Sequence, residues 1–309
     1  MAFLVSSKAT TSLFLRRLGG YRSISHALNN SSVTSSPSTT NFNGVTPNSS
    51  ISVASAAQKR SMSTVGQTLS VLADQFPNKE VIHYEHKNVK WSFKHVDRFA
   101  EALATGLLEQ GLAPGDSMLS WLPQHFSEQH VLQFACSKAG FVLYNLDPAQ
   151  AMTDPEGAKK SLKEALEATE ANCLFTQEAG DDVNYVNLVK QVIPEIRIFN
   201  FGEGMPFFTP RFPHLRFPIH TGFDIDDKEG MVALKHMLVD SGEISNLLGD
   251  AKLSGNTPLM GELVTGKDGA LTTGKVWTND EVLKAQAWPE VNSILEKKHS
   301  YVEGVGVIF

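Results

Sequence analysis

Short apolar runs alternate with helical periods from about residue 81 to residue 201, and this alternation restricts the fold more than any other feature. Segments 81–84 and 89–91 alternate apolar with polar side chains, which predicts a hairpin. From 92 to 108 the apolar positions recur at helical spacing. Segment 117–122 is a short apolar run, typical of a buried parallel strand.

The same alternation continues toward the C-terminus. It predicts helices over 127–139, 154–169 and 183–192, and strands over 141–145, 172–176 and 196–201. Because strand and helix alternate, the predicted fold class is α/β, with a doubly wound, mostly parallel sheet.

Regular periodicity is lost beyond residue 201. Segment 202–228 is rich in Phe and Pro and predicts a loop, which either packs within the domain or offers an aromatic contact surface to a partner. Short helices are predicted over 229–239, 244–248 and 279–287, and residues 301–309 form a last strand or a docked tail.

The first sixty residues contain no Asp or Glu, and their basic residues are Lys8, Arg16, Arg17, Arg22, Lys59 and Arg60. This pattern is typical of a mitochondrial transit peptide, with an ordinary flexible tail as the alternative. Processing is predicted just before Ser63, with residues 22–25 as a second candidate. The domains are therefore a transit peptide and disordered linker over 1–62 and an α/β domain over 63–309. That domain divides into a core over 63–201, the loop over 202–228 and a divergent part over 229–309.

Charge excludes one class of partner. The first sixty residues hold six of the 27 basic residues and none of the 33 acidic ones, so the rest of the chain has a formal net charge of −12. No nucleic-acid footprint remains, and an acidic body of this kind repels phosphate backbones and anionic cofactors at long range unless a local basic patch reverses the field.

Cys136 and Cys173 lie in apolar surroundings and are predicted to be buried thiols, with metal binding or a disulfide as the alternative. No apolar run is long enough for a membrane span.

Several short motifs of the body resemble the N-terminal subdomain of the AMP-forming acyl-CoA synthetases and related adenylate-forming ligases. They are the turn 111–116, which reads G-x-x-P-G-D, the Lys-Ala-Gly of 138–140, the pair Asp147-Pro148, and the helix and strand that follow Ser161. The resemblance covers 64–176 well and 183–278 loosely. It implies the family's α/β scaffold but places no catalytic residue.

In that family a loop of the type T-S-G-T-T-G-x-P-K-G holds the ATP phosphates. Residues 264–273 align with it and keep Thr265, Gly266 and Gly269, whereas Lys267 and Asp268 replace two hydroxyls. The family's proline and lysine become Leu271 and Thr272. A carboxylate about 4 Å from a phosphate is repulsive by roughly 1 to 4 kcal/mol. The residues that remain able to hold an anion are Thr265, Gly266, Lys267, Gly269 and Lys275.

Two other motifs are weak candidates for a nucleotide site and a metal site. Segment 269–275 fits G-x-x-x-x-G-K, but Val276 stands where a Walker loop needs Ser or Thr, and extended chain follows. His125 and His130 are five residues apart, which is not a metal-binding spacing on a helix. We therefore expect no catalytic residue, no metal and no cofactor.

The sequence-based expectation for function is a catalytically inactive relative of the synthetases. The degenerate loop and the lack of a Y-G-x-T-E-like segment within 309 residues favour a structural or supernumerary subunit of a mitochondrial inner-membrane complex, such as the ATP synthase or a respiratory complex. Its partners would be other subunits, and its location the matrix side or the inner membrane, reached through a partner. The alternative is acyl-CoA or adenylate binding, or residual AMP-dependent ligase activity. A third possibility is that a catalytic half is encoded elsewhere.

Overall fold

The computed structural model describes residues 64–84, 88–178, 183–201, 205, 207–222, 228, 230–239, 247–250, 252–298 and 300–302. All of them belong to the second of two compact units, Ser55–Phe309. The predicted transit peptide and linker, both processing sites, and residues 244–246 of one predicted helix lie outside the described residues.

The strands are β1 (Glu80–Tyr84), β2 (Val89–Ser92), β3 (Ser117–Trp121), β4 (Val142–Asn145), β5 (Cys173–Thr176), β6 (Phe217–His220), β7 (Val232–Ala233), β8 (Pro258–Thr265), β9 (Leu271–Thr278) and β10 (Ser300–Val302). The helices are α1 (Val65–Gln75), α2 (Phe93–Glu109), α3 (Ser127–Ala139), α4 (Gln150–Thr153), α5 (Pro155–Thr169), α6 (Tyr185–Val192), α7 (Leu247–Asp250), α8 (Asn279–Ala285) and α9 (Pro289–Leu295). Two 3-10 turns cover Pro194–Ile198 and Leu234–Met237.

Seven strands form one mixed sheet in the order β7-β6-β5-β3-β4-β8-β9. Every neighbouring pair is parallel except β8 and β9, which form an antiparallel hairpin. The predicted α/β class with a mostly parallel sheet is therefore confirmed.

Helices cover both faces of this sheet. Neighbouring residues of a strand point to opposite sides, so each central strand contributes side chains to both helical layers. In β3, Met118 packs into the core formed with α1, α2 and α3, whereas Leu119 packs into the core formed with α5 and α6. The helix between β3 and β4 is α3, and the main helix between β4 and β5 is α5. Successive connections therefore cross on opposite faces, as doubly wound topology requires.

Local sequence signals set the ends of the central helices. The backbone N–H of Ser92 donates to His95 Nδ1 at 3.1 Å at the start of α2. Asp154 caps α5 by accepting from the N–H of Gly157 at 2.9 Å. Gly140 ends α3 in the left-handed conformation, with φ of 80°. These helices match the predicted ones to within a residue or two.

The predicted N-terminal hairpin is confirmed as β1 and β2, which form a separate three-stranded sheet with β10. The last strand runs parallel to β1, so the predicted C-terminal strand is confirmed for the described residues 300–302. Helix α1 was not predicted. Its first amides are held by distant side chains, since Val65 N–H donates to Asn279 Oδ1 at 3.0 Å and Gly66 N–H to Ser137 Oγ at 2.7 Å.

Two predictions in the second half are wrong. Residues 196–201 do not form a strand, because Pro194 opens a 3-10 turn that buries Ile196 and leaves Ile198 exposed. The next strand is instead β6, inside the predicted loop 202–228. Residues 230–239 contain the short strand β7 and a 3-10 turn where a helix was predicted. Pro218 lies within β6, and a proline argues against a central strand when only the sequence is read.

Candidate functional site

The loop between β8 and β9 lies at the carboxyl edge of the parallel sheet. β8 pairs in parallel with β4, with Leu143 opposite Met260 and Tyr144 opposite Gly261. Thr265 therefore ends a strand that runs in the same direction as the central strands. In open α/β sheets this is the edge at which ligands bind. Four of the five predicted anion-holding residues, Thr265, Gly266, Lys267 and Gly269, are brought together here.

Three amides of this loop are already bonded within it. Gly266 N–H donates to the carbonyl of Ala270 at 2.8 Å, and Gly269 N–H donates to the carbonyl of Gly266 at 3.0 Å. Ala270 N–H donates to Asp268 Oδ1 at 3.2 Å. Gly269 adopts a φ of 79°, which the turn requires and a side chain would disfavour. A phosphate would have to displace the Asp268 carboxylate to reach the Ala270 amide.

Lys275, the fifth predicted residue, lies away from the loop in the middle of β9. Its Nζ is 2.8 Å from Glu281 Oε1 and 4.0 Å from the centre of the Trp277 ring. The pKa of Glu281 is lowered, first by the hydrogen bond from Lys275 and then by the backbone of Thr278. Gly274 and Lys275 both belong to a strand, so the G-x-x-x-x-G-K segment does not form a Walker loop.

A buried polar network at the same edge was missed by the sequence reasoning. Ser120 Oγ donates to Gln129 Oε1 at 2.5 Å, and Gln129 Nε2 donates to Asn145 Oδ1 at 2.8 Å. It joins the carboxyl ends of β3 and β4 through the first turn of α3. The signal was present, because each strand residue is a polar side chain near the end of an apolar run.

A second group of polar residues follows the carboxyl ends of β5 and β6. Lys228 is buried and forms an ion pair with Glu178. His220 is also buried, and its Nδ1 accepts from the N–H of Gly222 at 3.1 Å. Sequence spacing could not have indicated the Glu178–Lys228 pair, because its two residues are fifty positions apart.

The two histidines that we considered as metal ligands occupy different environments. His130 is buried on α3, and its Nδ1 is 3.1 Å from Tyr84 Oη. Burial, followed by the charge of His125, lowers the pKa of His130 to about 4. His125 is exposed. Within the described ranges, no group of three or more His, Cys, Asp or Glu residues has the arrangement of a metal site.

Both cysteines are buried free thiols, as predicted. Burial raises the pKa of Cys136, and that of Cys173 is raised by burial and by the neighbouring Cys136. They are therefore protonated and unreactive at neutral pH. Of the helices in the part of the chain that is described, none is long and apolar enough to cross a bilayer.

Comparison with known proteins identifies the relatives of this chain. Residues 69–200 match the family model of the AMP-binding enzymes. The medium-chain acyl-CoA ligase ACSF2, mitochondrial, of Bos taurus is 30% identical over 134 residues, which are 43% of this chain and 20% of that protein. The Bacillus subtilis (strain 168) protein YngI, whose name assigns it provisionally to the acyl-CoA synthetases, is 26% identical over 160 residues. These are 52% of this chain and 27% of that protein, so the chain spans about a quarter or less of either relative.

Solved structures show the same fold. Acetoacetyl-CoA synthetase from Streptomyces lividans superimposes with a TM-score of 0.60 at 16% identity, over 78% of this chain and 38% of that one. The N-terminal domain of FACL13 from Mycobacterium tuberculosis gives a TM-score of 0.56 at 14% identity, over 80% and 58%. The resemblance to the N-terminal subdomain of AMP-forming synthetases is therefore confirmed.

The predicted function is wrong in its main form. We expected a catalytically inactive protein that serves as a structural subunit of an inner-membrane complex. The relatives reported above are named as synthetases and ligases, not as structural subunits, and they favour the alternative of ligand binding or ligase activity. Changed residues in one loop do not exclude chemistry at the rest of the site, so the degenerate loop does not establish that the protein is inactive.

Proposed function

Since residues 69–200 match the AMP-binding enzymes and the fold is that of the N-terminal domains of AMP-forming synthetases, we propose that this chain carries the N-terminal part of an AMP-forming acyl-CoA ligase. In this role it binds an adenylate or an acyl-CoA at the carboxyl edge of its sheet. One observation carries the proposal, namely the position of loop 265–271 at the carboxyl end of β8, the strand that pairs with β4.

The topology of the sheet supports this location for the ligand. From β3 the chain passes to β4 on one side, and from β4 it crosses to β5 on the other side of β3. Such a reversal opens a crevice at the carboxyl ends of the central strands. Asn145, at the end of β4, is half-buried there, and the loop after β8 lies on the next strand of the sheet.

The reaction proposed has two steps. A carboxylate attacks the α-phosphorus of ATP and releases pyrophosphate, and the thiol of CoA then attacks the acyl-adenylate and releases AMP. In the described residues, Lys267 is exposed at the loop and supplies a positive charge for the phosphates, while Thr265 supplies a hydroxyl donor. Asp268 opposes them, so we expect weaker nucleotide binding than the family loop would give.

A mitochondrial location is part of the proposal. The first sixty residues combine six basic residues with no acidic one, as import signals do. The related ACSF2 proteins are themselves named as mitochondrial. Import of the full chain into isolated mitochondria, followed by protease protection, tests this point.

The ligand proposal is tested by isothermal titration of the full chain with AMP, ATP and a medium-chain acyl-CoA, alongside Asp268→Asn. Asparagine keeps the acceptor for the Ala270 amide but removes the charge, so we expect affinity for ATP to rise about fivefold or more, which is the lower end of the 1 to 4 kcal/mol repulsion. Asp280→Asn, on α8 outside the loop, is the matched control and should leave the affinity unchanged.

Absence of heat and of thermal stabilisation with all three ligands at millimolar concentration would overturn the binding proposal. If binding is found, pyrophosphate release in the presence of a fatty acid separates a ligase from a protein that only binds the ligand.

A further inference from the structure

Two large apolar side chains project into solvent beside the 3-10 turn Pro194–Ile198. Ile198 is 87% exposed and Phe208 is 66% exposed. Their chain neighbours, Phe199 and Phe207, pack edge to face with ring centroids 5.1 Å apart. Because each exposed residue adjoins one ring of this pair, both belong to the same region of the surface.

Three exposed arginines lie in the segments that carry these two side chains. Arg197 precedes Ile198 in the chain. The backbone N–H of Phe207 donates to the carbonyl of Arg216 at 3.2 Å, which places Arg216 next to Phe208. Arg211 Nε is 3.4 Å from Glu195 Oε1, in the same 3-10 turn as Ile198. We call Arg197, Ile198, Phe208, Arg211 and Arg216 the apolar-basic patch.

The charge of this region is opposite to that of the protein as a whole. Residues 195–216 contain three arginines and two acidic residues, Glu195 and Glu203, a formal net charge of +1, and Glu195 pairs with Arg211. The chain beyond residue 60 has a formal net charge of −12. A local cationic surface on an acidic body selects an anionic partner. The exposed Ile and Phe require that this partner also accept apolar side chains.

We propose that the apolar-basic patch docks the protein onto the surface of an anionic phospholipid bilayer. Such a surface meets both requirements, because acyl chains take up the Ile198 and Phe208 side chains while the head groups neutralise the arginines. It also requires no membrane-spanning helix, in keeping with the lack of one among the described residues.

The position of the patch in the fold leaves the candidate ligand site free. Arg216 directly precedes β6, so the patch lies toward the amino edge of the parallel sheet. The loop after β8 lies at the carboxyl edge. A protein docked through the patch therefore keeps loop 265–271 open to water-soluble ligands.

The test is flotation of the full chain with vesicles of phosphatidylcholine alone and of phosphatidylcholine with about one third phosphatidylglycerol. The apolar variant is Ile198→Ser with Phe208→Ser, and the charge variant is Arg197→Gln with Arg216→Gln. Val71→Ser with Met152→Ser is the matched control, because these residues are 53% and 59% exposed on α1 and α4. Circular dichroism and thermal unfolding verify that each variant is folded.

We expect the parent and the control to float with anionic vesicles and not with neutral ones. The partition coefficient should fall about 25-fold in the charge variant, from about 1 kcal/mol per arginine, and at least about tenfold in the apolar variant. The basic N-terminal residues are the same in every variant, so the differences report on the patch.

Equal flotation of the parent and both patch variants would overturn the proposal. So would flotation that is independent of lipid charge. A change in the oligomeric state of the patch variants, measured by light scattering, would instead assign the patch to contact between copies of the chain and would also overturn it.

Discussion

Asn279 connects three helices through one buried amide, and its removal should destabilise the fold strongly. Its side chain is fully buried. Its Oδ1 accepts from Val65 N–H at 3.0 Å and from Ser137 Oγ at 2.7 Å, and its Nδ2 donates to the carbonyl of Thr257 at 2.9 Å. Asn279→Ala removes all three hydrogen bonds and leaves the Val65 amide and the Ser137 hydroxyl buried without this partner.

Each lost hydrogen bond costs about 1 kcal/mol, and a buried donor without a partner costs up to about 3 kcal/mol. We expect the free energy of unfolding to fall by about 3 kcal/mol, which for a domain of this size lowers Tm by about 6–12 °C. Urea unfolding followed by tryptophan fluorescence measures the change. The control is Asn256→Ala, an exposed asparagine in the turn before β8, which should cost less than about 0.5 kcal/mol.

The shared hydrogen bond between Asn279 and Ser137 also predicts how the two substitutions combine. Ser137→Ala alone should also destabilise the protein, but the double variant should cost less than the sum of the two single changes, because they remove one shared bond. Equal stability of Asn279→Ala and Asn256→Ala would contradict the structural role of the Asn279 amide, as would simple additivity with Ser137→Ala.

Two further predictions concern buried charge. The pKa of His130 is about 4 in the folded protein, below its ordinary value of 6.5, so the unfolded chain binds more protons between these values. Stability should therefore be complete above pH 6.5 and fall by up to about 3 kcal/mol as the pH drops to 4. His130→Gln should flatten this slope in urea unfolding at a series of pH values, and an unchanged slope would contradict it. Lys138 Nζ is 2.9 Å from Asp97 Oδ1, with only 9% of the lysine side chain exposed. Lys138→Met should cost about 2 kcal/mol by leaving the Asp97 carboxylate without this partner. Lys284→Met, whose side chain is 77% exposed in its pair with Asp280, should cost almost nothing, and equal losses in the two variants would argue against the difference in burial as the cause.

The central part of the fold could be predicted because its signals are local. The apolar spacing of residues 127–139 predicts α3, and the glycine that follows it ends that helix. Asp154 and Pro155 are local signals that start α5. The alternation of such helices with short apolar runs then allowed a doubly wound sheet to be inferred before any strand was paired.

The second half could not be predicted because its elements depend on their neighbours. β6 is four residues long and contains Pro218, and it is a strand because β5 and β7 flank it. Residues 196–201 are as apolar as many strands, yet Pro194 directs them into a turn. Short apolar segments have no preference strong enough to choose between these outcomes without tertiary contacts.

For the candidate site, the residues alone predicted a changed glycine loop after an apolar segment, with Asp268 in place of a hydroxyl. The strand pairing was needed to place this loop at the carboxyl end of β8, the strand next to β4, and to bring Ser120, Gln129 and Asn145 together at the same edge. Packing also buries some rings of the Phe-rich segment and leaves Phe208 exposed. A residue type limits what a side chain can bond, whereas the packing of distant segments sets which groups it can reach.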